Sequence, residues 1–270
     1  MNGARLLLER HSIVANRALG QNFLVDRAAL DAIAEAACGD GAPALEVGAG
    51  LGDLTAALAA RSRRVVAVEI DGRFDPVLNE RFAGSSNVSL VRADFLKLDM
   101  ERAFELLGRE PFCVAANLPY YITTPISLKL AGCALPIERM CLMVQEEAAE
   151  RFSAQPGSRV YGPLAILVQA RFAVSTLFTL PPSAFYPAPD VNSAVIRLAA
   201  ARRDVPKQLR RVAALAFASR RKTLVNNLLS AGFEKDAVHG ALDELGLPRP
   251  VRAEAVDVES FVRLTRILAD

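Results

Sequence analysis

The sequence has little of what would mark it for a membrane, the cell exterior or a metal centre. No apolar run reaches the ~18 residues that a membrane span needs, although 52% of its 270 residues are hydrophobic. The N-terminal stretch MNGARLLLERHSIVANRALGQN has an apolar patch of only three leucines before charge returns, which is not a signal-peptide pattern. The only cysteines are Cys38, Cys113, Cys133 and Cys141, and no two form a C-x-x-C pair. That spacing argues against a zinc site and against a disulfide frame. It fits small core residues in a reducing compartment, with the cytoplasm as the expected location. Internal repeats and low-complexity tracts are absent as well. What remains is a folded-protein composition, with 23% charged residues and room for one large core, or one large domain and a small one.

Net charge is only +2, but it is unevenly placed. Between Arg202 and Lys222 the bases are Arg202, Arg203, Lys207, Arg210, Arg211, Arg220, Arg221 and Lys222, against the single acid Asp204. After Thr223 acids outnumber bases. Such a concentration suits either a polyanion-binding face or a solvated helix surface.

The middle of the chain alternates between two periodicities. An amphipathic helix is predicted over 27–38, then a strand at 44–47, a glycine-rich turn and a helix near 53–61. Strands follow at 64–70, 88–91, 112–116 and near 139–144, with helical segments between them and another from about 146. Apolar runs near 164–178 and 193–198 flank a proline-rich loop, 181–189, and suggest an antiparallel edge. Strand–helix alternation predicts an α/β fold, a parallel sheet covered on both faces. Beyond about residue 200 the pattern is helical, over 206–231 and 234–268, with Gly232, Gly246 and Pro248 as breaks. Two domains are therefore expected, 1–200 and 201–270.

Several strand ends carry chemistry. LEVGAGLGDLT (45–55) ends a strand in Gly48, Gly50 and Gly52, which lets the backbone turn sharply and approach a ligand. Position 53, where a dinucleotide fingerprint wants glycine, holds Asp53, and Glu46 stands just before the turn. A carboxylate there repels a pyrophosphate and attracts a cationic amine or sulfonium, which favours S-adenosylmethionine over NAD. Glu69 ends the next strand, placed to accept hydrogen bonds from ribose hydroxyls, and Asp94 follows the third, placed to bond an adenine amine.

The fourth strand ends in Asn117-Leu118-Pro119-Tyr120. The lone pair of an exocyclic base amine is delocalised into its ring. Hydrogen bonds accepted by the Asn117 side-chain oxygen and the Leu118 carbonyl would make that nitrogen more tetrahedral and more nucleophilic. Pro119 stiffens the turn, and Tyr120 offers a ring face for the base. Phe185, in the loop LPPSAFYPAPDVNSAV, is the candidate for the opposite wall, held by proline pairs. An activated methyl donor needs positioning of the acceptor more than a strong base or a metal, so no metal ligands are expected.

These motifs, in order, resemble the small-subunit ribosomal RNA adenine N6,N6-dimethyltransferases of the KsgA type. The matching pieces are LGQNFLVD (19–26), LEVGAGLGDLT, VEID (68–71), RADFLKLD (92–99), NLPYYITTP (117–125), MVQEE (143–147), YGPLA (161–165), PPSAFYPAPDVNSAVIRL (181–198) and ASRRKTLVNNL (218–228). The resemblance implies a Rossmann-like class I methyltransferase sheet with a small all-helical C-terminal domain. It implies S-adenosylmethionine as cofactor and two methyl transfers to N6 of each of two adjacent adenosines near the 3′ end of the small-subunit RNA, in an assembling subunit. It adds Asn22 and Leu24 to the cofactor contacts Glu46, Gly48, Gly50, Glu69, Asp94 and Asn117. It makes Arg202, Arg203, Arg210, Arg211, Arg220, Arg221 and Lys222 the RNA-gripping set, in a monomer. Ala49 stands where the family often has proline. Two other readings share the fold: a large-subunit RNA adenine methyltransferase of the antibiotic-resistance type, and a non-catalytic RNA-binding assembly factor.

Overall fold

The computed structural model describes residues 3–16, 20–201 and 204–269. Its strands are β1 (Phe23–Leu24), β2 (Ala44–Val47), β3 (Val65–Glu69), β4 (Val88–Arg92), β5 (Phe112–Asn117), β6 (Ile137–Gln145), β7 (Phe172–Leu180), β8 (Phe185–Tyr186) and β9 (Ser193–Ala200). Short, β-branched and small-apolar segments form the middle of a seven-stranded sheet ordered β4-β3-β2-β5-β6-β9-β7. The pairs from β4 through β6 are all parallel, and β9 runs antiparallel to β6. Every residue of β2 is buried, as is all of β5 except Asn117. This is the pattern of a parallel sheet covered on both faces.

The chain separates into two compact units. The first holds Met1–Ile126, Leu135–Ala149 and Ser175–Ala199. Helices here are set by local chemistry. Arg27–Cys38 starts where the Asp26 side chain accepts the Ala29 N–H at 3.1 Å, and it buries Leu30, Ile33, Ala34 and Ala37 along one stripe. Met100–Leu106 starts from Asp99, which accepts the Glu101 N–H. The two-residue strands β1 and β8 pair antiparallel, Phe23 opposite Tyr186 and Leu24 opposite Phe185.

The second unit holds Ser127–Ala134, Glu150–Val174 and Ala200–Asp270. Two segments from before residue 200 therefore cluster with the C-terminal helices, which a linear division of the chain does not anticipate. The helices Pro163–Arg171, Leu209–Ala216, Leu224–Ser230, Lys235–Glu244 and Val258–Ala269 lie in this unit. Its centre contains the rings of Tyr161, Phe217 and Phe261, with centroids about 6 Å apart. The buried Tyr161 hydroxyl donates to the Val256 carbonyl at 2.9 Å.

Three expectations need correcting. The apolar run 164–178 is not one strand: Gly162-Pro163 starts a helix to Arg171, and only then does β7 begin. Pro163 at the first helical position explains the start, since its fixed φ fits there and its missing N–H is not needed. The helix from 146 is a single turn, Glu146–Glu150. The expected helix 206–231 is split by the turn around 217–223, whereas the break within 234–268 begins at Gly246, where the sequence predicts it.

The glycine-rich turn has a defined steric reason. Gly52 has φ +80°, and a Cβ there would lie 2.7 Å from a Phe82 ring carbon and 3.0 Å from Leu78. Gly52→Ala is therefore expected to destabilise the first unit by about 2 kcal/mol or more, since left-handed backbone and the ring clash add. A fall in the urea midpoint with unchanged slope checks this.

Candidate functional site

Parallel strands all finish at one edge, and here that edge is concave. A cavity of about 520 Å³ opens at the carboxyl ends of the strands, large enough for a nucleoside-sized ligand. Asn22, Leu24, Glu46, Gly48, Gly50, Glu69, Asp94 and Asn117, all expected from the sequence to meet a cofactor, line this one space. Its ionisable lining is mostly acidic: Glu46, Asp53, Glu69, Asp71 and Asp94 against Arg73. Arg73 is itself bonded to Asp71. Such a lining suits a ligand with a cationic part and opposes a pyrophosphate.

Each acid is held differently. Glu69 accepts the Gly50 N–H at 2.8 Å on Oε2 and those of Ile70 and Asp71, both at 2.9 Å, on Oε1. Three backbone donors fix the carboxylate and leave Oε2 the freer oxygen. Burial raises the Glu69 pKa, and those same donors oppose the rise. Asp94 accepts the Leu96 N–H at 2.9 Å on Oδ1, which leaves Oδ2 3.9 Å from the Lys97 ammonium. Glu46 is 1% exposed. It accepts only the Thr55 hydroxyl, at 2.5 Å on Oε2, while its Oε1 has no hydrogen-bond partner. Burial pushes the Glu46 carboxyl up to about 8.

Asn117 has a determined orientation. Its Nδ2 donates to the Asn22 carbonyl at 2.9 Å, so the oxygen is the end left to accept a proton from a ligand. Behind it the Leu118 N–H donates to the Met143 carbonyl at 3.0 Å, which ties the peptide to β6. The Pro119 carbonyl accepts both the Ile122 N–H and the Thr123 hydroxyl. The turn that presents Asn117 is thus rigid on its chain side, while Leu118 is 1% exposed and does not line the cavity.

The aromatic expectations fare less well. Phe185 does not project: it is 5% exposed, pairs with Leu24 and does not line the cavity. Its apolar ring is more stable packed in the core than held in solvent. Tyr120 is half-buried and also off the lining. Its neighbour Tyr121 lines the cavity and is 60% exposed.

Sequence reasoning missed the group that seats the segment over the cavity. Gln21 Nε2 donates to Asp71 Oδ2 at 2.8 Å. Arg73 donates to Asp71 and, through Nη1, to the Val14 carbonyl at 3.0 Å. Phe23 packs edge-on against Phe74, ring centroids 5.7 Å apart, and a Cβ on Gly50 would touch it at 3.2 Å. Gln21 and Asp71 sit in the quoted motifs LGQNFLVD and VEID, but 50 residues separate them.

In the other unit, Arg210 and Arg211 are exposed on the helix Leu209–Ala216, and Arg220, Arg221 and Lys222 on the turn after it. The buried Asn227 holds that turn, donating to the Ala216 and Ser219 carbonyls and accepting the Ser219 N–H. Arg220 donates to the Arg159 and Tyr161 carbonyls, so its guanidinium is partly committed to the fold. Arg202 and Arg203 lie outside the described residues. Among the described residues no group of three or more His, Cys, Asp or Glu could hold a metal ion, and no helix is long and apolar enough to cross a membrane.

The family model of the ribosomal RNA adenine dimethylases matches residues 13–270. The chain belongs to this family. Among curated relatives, the ribosomal RNA small subunit methyltransferase A of Bacillus mycoides is 39% identical over 279 residues, covering 99% of this chain and 96% of the relative. The crystal structure of the 23S rRNA methyltransferase ErmE is similar with a TM-score of 0.66 at 29% identity, covering 92% of this chain and all of that one. A dimethyladenosine transferase from Plasmodium falciparum shares the fold, with a TM-score of 0.72 at 24% identity over 90% of this chain and 96% of its own. This dimethylase-family chain is therefore a class I methyltransferase fold with a helical second unit.

In this family member the Asp71 carboxyl lies at about 2, down from an ordinary 3.8, with the Arg73 hydrogen bond the largest cause. A depressed carboxyl stabilises above its ordinary range, so its hold on the Gln21 segment is complete above about pH 4 and lost as pH falls towards 2. Asp71→Asn is expected to speed amide exchange over residues 21–25 by on the order of fivefold at neutral pH, the worth of one partly screened charged bond. Strands β2 and β5 should be unaffected in the same hydrogen-exchange experiment.

Proposed function

We propose that this protein transfers methyl groups from S-adenosylmethionine to N6 of two adjacent adenosines near the 3′ end of small-subunit ribosomal RNA, during assembly of the subunit. The observation that carries this is the shared cavity: the glycine turn, Glu69, Asp94 and Asn117, taken from four separate strand ends, face one space. The small-subunit reading is preferred to the large-subunit one because a relative named for the small subunit is 39% identical over nearly the whole chain, against 29% for ErmE. An intact Asn117-Leu118-Pro119-Tyr120 turn beside an acidic cavity favours an enzyme over a purely binding factor.

The residues present fit the methyl donor. Gly50 leaves the space that a Cβ would fill against Phe23, and the orphaned Glu46 Oε1 awaits a donor or a cation. Asp94 Oδ2 is placed for an adenine amine, Glu69 Oε2 for a ribose hydroxyl, and Glu46 for the cationic end. Asn22 and Leu24 close the cavity from the segment 21–25, the arm, and Gly48 gives the backbone close approach. When bound, S-adenosylmethionine supplies an electrophilic methyl group on a sulfonium. Asn117 Oδ1 and the Leu118 carbonyl accept the two N–H protons of the target amine and so orient its lone pair. The Tyr120–Tyr121 turn offers the ring face on which an extruded base stacks, worth ~1–3 kcal/mol. Phe185 can serve as a second wall only if β8 leaves β1.

The exposed bases Arg210, Arg211, Arg221 and Lys222 grip the RNA backbone, with Arg220 supporting the turn. The protein acts as a monomer in the cytoplasm, where its free thiols stay reduced.

Two experiments test this reading. Asn117→Ala should bind S-adenosylmethionine within a fewfold of the parent while methyl incorporation into under-methylated small subunits falls by at least 10²-fold. Normal dimethylation by that variant would remove Asn117 from its role. Arg221→Ala with Lys222→Ala should weaken subunit binding and flatten the slope of log affinity against log salt by about 1.5, as two phosphate contacts are lost. An unchanged slope would put the RNA face elsewhere.

A further inference from the structure

Glu46 is the strangest group in the cavity. It sits in the middle of a buried strand, 1% exposed, yet it lines the cavity and has one oxygen without a partner. A carboxylate in that position is poorly solvated, because a single hydroxyl is all that stabilises the charge. The charged groups around it make ionisation harder still. Glu69 on β3 and Asp53 on the helix Asp53–Ala59 both raise its pKa by repulsion. Arg81, on the helix Asp75–Phe82, is the cation that opposes them, but it is bonded to Asp53 at 3.0 Å and to the Leu51 carbonyl. In register with Glu46 the two neighbouring strands present Ala67 and Ala115, which carry no charge.

The strand order fixes what Glu46 would meet. Across the sheet the sequence is β4, β3, β2, β5. Asp94 follows β4, Glu69 ends β3 and Asn117 ends β5. If the adenine lies by Asp94 and the ribose by Glu69, the next strand along, β2, faces the charged amino-acid end of the donor. Beyond it lies Asn117, where the methyl acceptor is held. This step rests on the donor-binding reading given under Proposed function.

We propose that Glu46 is a neutral acid in the empty cavity and releases its proton to solvent when the cationic amino-acid end of the methyl donor enters. The neutral carboxyl and the incoming cation become a carboxylate–cation pair and one free proton, so charge and atoms balance. Glu46 is then a specificity residue: it avoids the cost of a bare buried charge when the site is empty and supplies that charge only to a cation. With its carboxyl near 8 in the empty protein, donor affinity should rise up to tenfold per pH unit as pH increases below that value, and stop rising above it, where the donor's own α-ammonium begins to lose its proton.

Titration calorimetry of the full-length protein at pH 6.5, in buffers of different ionisation enthalpy, reads the proton directly. S-adenosylmethionine should release most of one proton per site. 5′-Methylthioadenosine, which keeps the nucleoside but has neither ammonium nor sulfonium, should release none. Glu46→Gln should bind the donor without proton release and without pH dependence between 6 and 8. The wild-type comparison of the two ligands stands even if that variant binds neither. S-adenosylhomocysteine keeps only the ammonium: release with it makes the ammonium the group Glu46 meets, and release with the donor alone makes it the sulfonium. Donor binding with no buffer-dependent heat overturns the proposal, as does equal release with methylthioadenosine or release retained in Glu46→Gln. Those results leave the donor-binding reading intact, whereas no donor binding between pH 6 and 9 removes both.

Discussion

The site depends on parallel pairing of β4, β3, β2 and β5. In that arrangement Glu69 lies opposite Arg92, and Val47 opposite both Val68 and Ala116. Parallel strands in register must all end at the same edge, so residues scattered over about seventy positions of sequence converge there. Strand β3 is mostly valine and β2 and β5 are mostly small and apolar, and a slip by one residue would exchange the faces of every side chain, Glu46 included. Remove the register and the glycine turn, the acids and Asn117 have no common space.

The edge alone does not make a closed site. One side is supplied by the arm, seated by the Asn117–Asn22 hydrogen bond, the Asp71–Gln21–Arg73 group and the Phe23–Phe74 contact. These contacts couple two tasks. The bond that seats the arm also turns Asn117 so that its oxygen faces outward to accept. Glu69 is similarly shared, since the backbone donors of Gly50, Ile70 and Asp71 stiffen the turns on both sides of the cavity while orienting the carboxylate.

Electrostatics then separates acids that look alike in sequence. Glu69 and Asp94 each accept backbone N–H groups, and Asp71 accepts a guanidinium. Burial raises the Glu69 carboxyl against three backbone donors, whereas Glu46, with one hydroxyl and two acidic neighbours, is pushed by burial up to about 8. The same side-chain chemistry thus meets burial with different opposition, set by how many N–H groups reach each carboxylate.

Much was legible in the chain. Helix Arg27–Cys38 and strands β2 to β5 fall close to where periodicity puts them, and all eight expected cofactor contacts share one cavity. Local signals suffice for the elements, a capping Asp26, apolar runs of strand length and glycines at positive φ, whereas Asn22 and Leu24 followed only from the family resemblance. The misses involve partners far apart in sequence. Nothing near Phe185 says that it pairs with Leu24, nothing near Gln21 says that it bonds Asp71, and no composition shift shows that 150–174 joins the C-terminal helices. The sequence by itself determined which strand tips bear glycine, carboxylate and amide, because strand polarity and turn chemistry are local properties. Only the tertiary structure decided which ring is exposed, which acid loses its solvent and what seats the arm, because burial and charge are set by neighbours that the chain brings together only on folding.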